Sequence, residues 1–354
     1  MGAADRDVDP TSPTPDPSPE AEGRRRPRIG FLGVGWIGRH RMEAMLATGL
    51  VEAAAVSDPS PEMRAEAAKL APDAAAVDSL DALLAHDLDG LVVATPSALH
   101  ADQAIRALDA GVAVFCQKPL GRDAAETARV VEAARRADRL LGVDLSYRLT
   151  RGMEAIAALV RGGELGRLFA IDLVFHNAYG PDKPWFYDRA QSGGGCVMDL
   201  GIHLVDLALW TTGFPAVVAA DARLYAGGVP LTGDAVEDYA VATLDLDGGT
   251  SVRLACSWRL HAGQDAVIEA SFYGTQGGAT LSNVGGSFYD FVAERHRGTA
   301  REPLAGPPDD WGGRAAADWA RRLAGGARFD PEALHFVAAA EALDRIYAAA
   351  TRRE

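Results

Sequence analysis

Residues 28–38 read RIGFLGVGWIG, and this stretch limits the fold more than any other part of the chain. An apolar run ends in Gly33. Gly33, Gly35 and Gly38 then stand at G-x-G-x-x-G spacing, and an amphipathic segment, Arg39 to Ala47, follows. Strand, tight turn and helix start in that order open a dinucleotide-binding βαβ unit. Each glycine has its own duty. Gly33 permits the sharp turn, Gly35 lets the backbone approach a pyrophosphate, and Gly38 lets helix and strand pack closely. Trp36 and Ile37 complete the turn. The free N–H groups and positive dipole end of the helix then face the phosphates.

A second apolar run, Val51 to Val56, ends in Ser57 and Asp58. Asp58 follows Gly38 by 20 residues, the place of the acid that binds the adenosine ribose hydroxyls. No arginine follows it directly, and a carboxylate there repels a 2′-phosphate, so NAD is expected ahead of NADP. Asp58 could also cap the helix that starts at Pro59 to Met63.

A chain of 354 residues points to two domains with a sizeable core. No apolar stretch is long enough to span a bilayer. A net charge of −14 disfavours a nucleic-acid groove and an anionic membrane surface. Cys116, Cys196 and Cys256 lie far apart, with no metal-type spacing, which fits a reducing cytoplasm and no bound metal. The first 28 residues hold six of the 19 prolines. Residues 1–27 are read as a disordered tail. Arg24 to Arg28 before an apolar run imitates a twin-arginine export signal, but that run already serves as the first strand and no small-residue cleavage site follows.

From Arg28 to Ser146 strands and helices alternate. Strands are expected at Arg28–Leu32, Val51–Val56, Gly90–Ala94, Val112–Cys116 and Leu140–Leu145, and helices at Arg39–Ala47, Pro61–Leu70, Ala98–Ala110 and Asp123–Ala137. Continuous apolar strands between helices mean a doubly wound parallel sheet covered on both faces, here residues 28–146. Its ligand sits at the carboxyl ends of the strands, where three turns look equipped: Gly33 to Gly38, Thr95-Pro96-Ser97, and Gln117-Lys118-Pro119. Residues 147–354 are expected to form an α+β second domain. Runs at 216–225, 238–246, 250–258, 265–273 and 288–294, with short Gly- and Asp-containing connections, fit an antiparallel sheet there.

Two constellations carry chemistry. Lys118 directly follows a buried strand at the cofactor end of the sheet, where it can donate a hydrogen bond to a substrate oxygen. Pro119 stiffens that turn. The second is Ser192 to Asp206, which contains Gly193, Gly194 and Gly195 and then Asp199 and His203 at i and i+4 on one helical face. Histidine suits proton exchange near neutral pH. Asp199 can orient it, stabilise its protonated form, or touch substrate. The loop from Phe175 to Tyr187, with Asn177 and Trp185, mixes rings and hydrogen-bonding groups as a sugar site needs. Arg148 is a further candidate contact.

In that order, these motifs resemble the glucose–fructose oxidoreductase, inositol dehydrogenase and rhizopine catabolism family, Gfo/Idh/MocA. The resemblance rests on Gly33-x-Gly35-x-x-Gly38, Thr95-Pro96-Ser97-x-x-His100, Lys118-Pro119, Ser146-Tyr147-Arg148, Gly162 to Gly166, and Gly193 to Asp206. It implies a Rossmann domain followed by a substrate-binding α/β domain whose open, mostly antiparallel sheet often forms oligomer contacts, and a homo-oligomer, dimer or tetramer. It implies catalytic roles for Lys118, Asp199 and His203, and cofactor contacts from the three glycines, Trp36, Ile37, Asp58, Thr95, Pro96, His100, Gln117 and Lys118. The implied activity is NAD-dependent oxidation of a secondary hydroxyl of a sugar, inositol or related cyclic polyol, with substrate held by Lys118, Arg148, Asn177, Trp185, Asp199 and His203. Alternatives are an NADP(H)-dependent reductase of keto-sugars, nucleotide-linked ones included, an NAD-dependent glycoside hydrolase, and a non-catalytic NAD or sugar sensor. One residue departs from the pattern. The family's usual glutamate before the lysine is Gln117, which keeps an amide and loses a charge.

Overall fold

The computed structural model describes residues 25–351. The predicted tail lies outside the described residues except at 25–27, and there Arg25 is tied to the fold by ion pairs with Asp87 and Asp89.

The first half alternates as expected: β1 (Arg28–Leu32), α1 (Trp36–Leu46), β2 (Glu52–Ser57), α2 (Pro61–Leu70), β3 (Ala75–Val77), α3 (Leu80–Leu84), β4 (Gly90–Val93), α4 (Ser97–Asp109), β5 (Ala113–Cys116), α5 (Ala124–Ala137) and β6 (Leu141–Val143). All six strands are parallel, in the order β3-β2-β1-β4-β5-β6. The order reverses between β1 and β4, and the crevice at that switch is where such sheets bind ligands. Every residue of β4 and β5 is buried, as a strand covered on both faces requires. Local signals set the helix starts. The Ser60 hydroxyl accepts from the Met63 N–H before α2, whose first residue is Pro61, and Asp123 accepts from the Glu126 N–H before α5. Helix α1 begins at Trp36, earlier than the Arg39 start read from the sequence, because its first turn is built from the glycine motif itself.

The second half continues with α6 (Arg151–Arg161), β7 (Leu168–Asn177), α7 (Arg189–Ser192) and a π turn, Val197–Gly201, that runs directly into α8 (Ile202–Thr212). Then come β8 (Val217–Ala226), β9 (Val229–Pro230), β10 (Tyr239–Leu246), β11 (Ser251–Ser257), β12 (Ala266–Gly274), β13 (Gly278–Asn283), β14 (Phe291–Arg297) and β15 (Ala300–Ala305), followed by α9 (Arg314–Ala324) and α10 (Leu334–Thr351). The nine strands form one sheet, β15-β14-β13-β12-β7-β11-β10-β8-β9. Only β7 and β11 run parallel. Helices α6, α8 and α10 cover one face of it. Helix α8 is buried along eight of its 11 residues. The continuous segment 189–212 is long and apolar enough to cross a membrane, but it is mostly buried inside the fold, as a core helix is.

One segment changes sides. Helix α9 lies within residues 147–354, which the sequence reading assigns to the second domain, yet it packs on the first sheet. Ala316, Trp319 and Ala320 make an apolar stripe at helical spacing. The Trp319 ring lies 5.9 Å from Phe115, and a Cβ on Gly90 or Gly142 would come within 2.6 and 2.7 Å of it.

Candidate active site

The carboxyl ends of β1, β2, β4, β5 and β6 open on a cleft of about 960 Å³. Its far wall comes from the second half: the π turn and start of α8, the loop carrying Trp185 and Phe186, and the rings of Phe288, Tyr289 and Trp311.

At one end lies the glycine turn. Gly33 has φ +84°, and a Cβ there would sit 2.4 Å from the Ala94 carbonyl oxygen. A Cβ on Gly38 would sit 2.1 Å from the Gly33 carbonyl oxygen. A Cβ on Gly35 would meet nothing within 4 Å, since that position faces the open cleft. No side chain caps the α1 N-terminus at Gly35. Open space in front of an uncapped helix start fits a pyrophosphate. Trp36 and Ile37 line the same end. Asp58 accepts hydrogen bonds from the Val34 N–H and the Ser60 N–H, both at 2.9 Å. The cap of α2 is therefore Ser60, while Asp58 braces the glycine turn and lines the cleft. These residues fit an NAD-type cofactor.

Thr95 and Pro96 also line the cleft, with the Thr95 hydroxyl donating to Gln103 Oε1 at 2.6 Å. His100 lines the cleft as well. It is buried, and both ring nitrogens lie 2.7 Å from backbone carbonyls, those of Pro119 and Thr95. A neutral imidazole has one N–H, so His100 donates to one of these carbonyls and packs between the loops after β4 and β5.

At the other end the two halves meet. The Lys118–Pro119 bond is cis. Lys118 Nζ donates to the Asp199 carbonyl at 2.7 Å and to Asp199 Oδ1 at 2.6 Å. Trp258 Nε1 donates to Asp199 Oδ2 at 3.0 Å. Both carboxylate oxygens are thus held. Asp199 serves Lys118 where the sequence offered it as a partner for His203. The His203 ring lies one turn further on, with Tyr147 packed 4.8 Å from it, and its Nδ1 is buried without a hydrogen-bond partner. Burial, then the charges of Lys118 and Arg41, push the His203 pKa well below the ordinary histidine value.

The glycine run before Asp199 serves packing. Glu237 accepts from the Gly195 and Val197 N–H groups at 2.8 and 3.1 Å and from the Tyr347 hydroxyl at 2.8 Å. A Cβ on Gly194 would strike that hydroxyl, and one on Gly195 would lie 1.9 Å from the Glu237 carbonyl. The close approach is to this buried cap.

Two predicted substrate contacts do not reach the cleft. Arg148 is locked in a bidentate pair with Asp206, which is buried in α8, and lies over the Phe214 ring. Asn177 turns back to accept from the Tyr179 N–H at 2.7 Å. Trp185 does line the cleft, stacked on Phe186 at 3.8 Å. Sequence reasoning also missed Arg41, Asp144, Tyr147, Trp258 and Trp311. Asp144 had a signal, since it follows β6 as Asp58 follows β2. Trp258, a lone tryptophan at a strand end, had none. Among the described residues no cluster of His, Cys, Asp and Glu is arranged to hold a metal, and the three cysteines are free and buried.

Residues 27–145 match the family described as an oxidoreductase family with an NAD-binding Rossmann fold, and residues 153–280 match the GFO/IDH/MocA C-terminal domain. The chain is 33% identical over 260 residues to a putative UDP-kanosamine synthase oxidoreductase subunit of Amycolatopsis mediterranei, covering 68% of this chain and 71% of that one. It is 28% identical over 211 residues to D-glucoside 3-dehydrogenase of Escherichia coli, covering 56% of this chain and 60% of that one. Among solved structures, GenD2 from gentamicin A biosynthesis in complex with NAD superposes with a TM-score of 0.79 at 24% identity, over 94% of this chain and 96% of that one.

Proposed function

This chain belongs to the Gfo/Idh/MocA family of NAD-binding oxidoreductases, and we propose that it is an NAD-dependent dehydrogenase of a secondary hydroxyl on a sugar, inositol or related cyclic polyol. One observation carries the reading. Lys118, from the nucleotide-binding half, donates to Asp199 of the other half, in a cleft that also holds His203 and the glycine turn.

The bound cofactor supplies a hydride acceptor at its nicotinamide. The chain supplies the rest. Lys118 spends two of its three N–H donors on Asp199 and keeps one for the reacting oxygen, whose developing negative charge it stabilises. His203 takes the hydroxyl proton. A base must be neutral to act, and the depressed pKa keeps the imidazole neutral. Trp258 fixes Asp199, and so fixes Lys118. Trp185 and Tyr289 offer flat faces and polar edges to a sugar ring, and Trp311, whose indole N–H is given to the Tyr289 carbonyl, adds apolar wall. Ketone reduction uses the same groups in reverse.

A pH prediction follows from His203. The acid limb of kcat/KM for alcohol oxidation is expected below the ordinary histidine pKa of about 6.5. A depressed folded-state pKa also means stability is present above the unfolded value and is lost as pH falls through the folded one. A limb at or above 6.5 would remove His203 as the base.

For the cofactor, one Asp58 oxygen holds the glycine turn and the other the start of α2, and a 2′-phosphate would have to lie against that carboxylate. NAD should bind at least about tenfold more tightly than NADP, a difference of about 1.4 kcal/mol. Titration calorimetry with each dinucleotide decides, and tighter NADP binding refutes it. The substrate is tested by absorbance of reduced cofactor across inositols, free sugars and glycosides. Sugar release from a glycoside without net NADH would replace the dehydrogenase reading by a hydrolase.

We place the enzyme in a reducing cytoplasm, in keeping with its three free thiols. We assign oligomer contacts to the sheet face away from α6, α8 and α10, where Val174, Ala255 and Val241 stand in cross-strand register. Light scattering measures that state.

A further inference from the structure

Gln117 is buried just past the end of β5, and its side-chain amide faces a buried carboxylate, that of Asp144. Asp144 stands directly after β6, with its side chain almost completely buried. Asp144 Oδ2 accepts from Gln117 Nε2 at 2.7 Å and from Arg41 Nε at 2.5 Å, and its other oxygen accepts from the Ser146 hydroxyl. One carboxylate therefore ties together α1, the end of β5 and the end of β6. Gln117, Arg41, Asp144 and Ser146 all line the cleft beside Lys118. A buried carboxylate needs such partners, and losing one leaves a charge stranded.

We propose that Asp144 is a positioning residue for the cofactor's redox end, the carboxylate that orients Gln117 and neutralises Arg41. This rests on the dehydrogenase reading above. An amide has two ends, and Asp144 fixes which is used. With Nε2 given to Asp144, Oε1 is the end left for the cleft. Arg41 with Asp144 makes a neutral pair, so no uncompensated cation stands beside the positively charged nicotinamide of the oxidised cofactor. The site is built for a single carboxylate at the pair 117/144. A glutamate at 117 would put two carboxylates in hydrogen-bond contact, and one of them would have to take up a proton or turn away. An asparagine at 144 removes that conflict and can donate to a glutamate at 117.

The test is a charge swap read by binding, without any substrate. Asp144→Asn, Gln117→Glu and the double variant are titrated with NAD and with NADH by calorimetry, with melting curves as the check on folding. Each single change should raise the NAD dissociation constant at least tenfold. Asp144→Asn should raise the NADH constant less, because only the oxidised ring carries the charge that an unpaired Arg41 repels. The double variant should return to within about threefold of the parent. Single variants that bind like the parent, equal losses for NAD and NADH in Asp144→Asn, or a double variant no better than the worse single would each overturn the proposal. If Asp144→Asn does not fold, Gln117→Met removes the donor without adding charge and should weaken binding of both dinucleotides; unchanged affinity there overturns it as well. Failure of the dehydrogenase reading would appear elsewhere, as absence of turnover on every polyol with these affinities intact.

Discussion

Lys118→Ala is expected to lower kcat for alcohol oxidation by about 10²–10⁴ while changing the NAD dissociation constant by less than about threefold. The factor follows from what the ammonium does. It is a charge-assisted donor in a partly closed cleft, aimed by two hydrogen bonds to Asp199. Removing it costs the oxygen of the transition state its partner, and the same oxygen in the ground state needs that partner less. The fold should tolerate the change. Lys118 and Asp199 are only partly buried, and Trp258 still holds Asp199. Lys118→Arg should not restore turnover, because a planar guanidinium cannot reproduce a compact ammonium between two acceptors of one residue. Steady-state kinetics with the best polyol, alongside NAD titration, measures both quantities. A kcat within a few-fold of the parent would take the reaction away from this lysine.

The parallel half of the fold was legible because its signals are local. Glycine spacing, apolar strands and caps such as Ser60 and Asp123 act within a few residues of where they stand. The elements missed there are short: β3 has three residues, and α3 has five. The second sheet was legible only where its strands alternate cleanly. Strands β13, with sequence GATLSN, and β15, with AREPLA, carry small, polar and proline residues that lack strand propensity. Their place comes from neighbours, and pairing is invisible in a local window.

The site divides the same way. Lys118, Asp199 and His203 were found because each is a chemical group out of place: a lysine at the end of a buried strand, and an acid and an imidazole in an apolar helix. Their pairing was not. The i, i+4 spacing offered Asp199 to His203, whereas the carboxylate, in the π turn before α8, binds a lysine 81 residues away. Arg148 looked like a free cation beside the site, but its partner Asp206 lies 58 residues on and inside α8. Long-range ion pairs leave no trace in the sequence around either member, and so neither partner could be read from spacing.

The glycine turn offers a sharper separation of fold from ligand. Gly38→Ala should cost about 3 kcal/mol or more, since its new Cβ would lie 2.1 Å from a backbone carbonyl that cannot swing aside. That corresponds to a melting point lower by roughly 4 °C or more. Gly35→Ala should fold like the parent, within about 0.5 kcal/mol, because its Cβ meets nothing within 4 Å and its φ of −60° suits any residue. Its NAD dissociation constant should nevertheless rise about 30-fold, equivalent to roughly 2 kcal/mol, because the methyl group occupies the space the pyrophosphate needs. Two glycines three residues apart thus predict opposite pairs of readings, one in melting and one in binding. Should Gly35→Ala bind NAD as tightly as the parent, the phosphates do not rest on this turn. The open floor at Gly35 would then have no ligand to explain it.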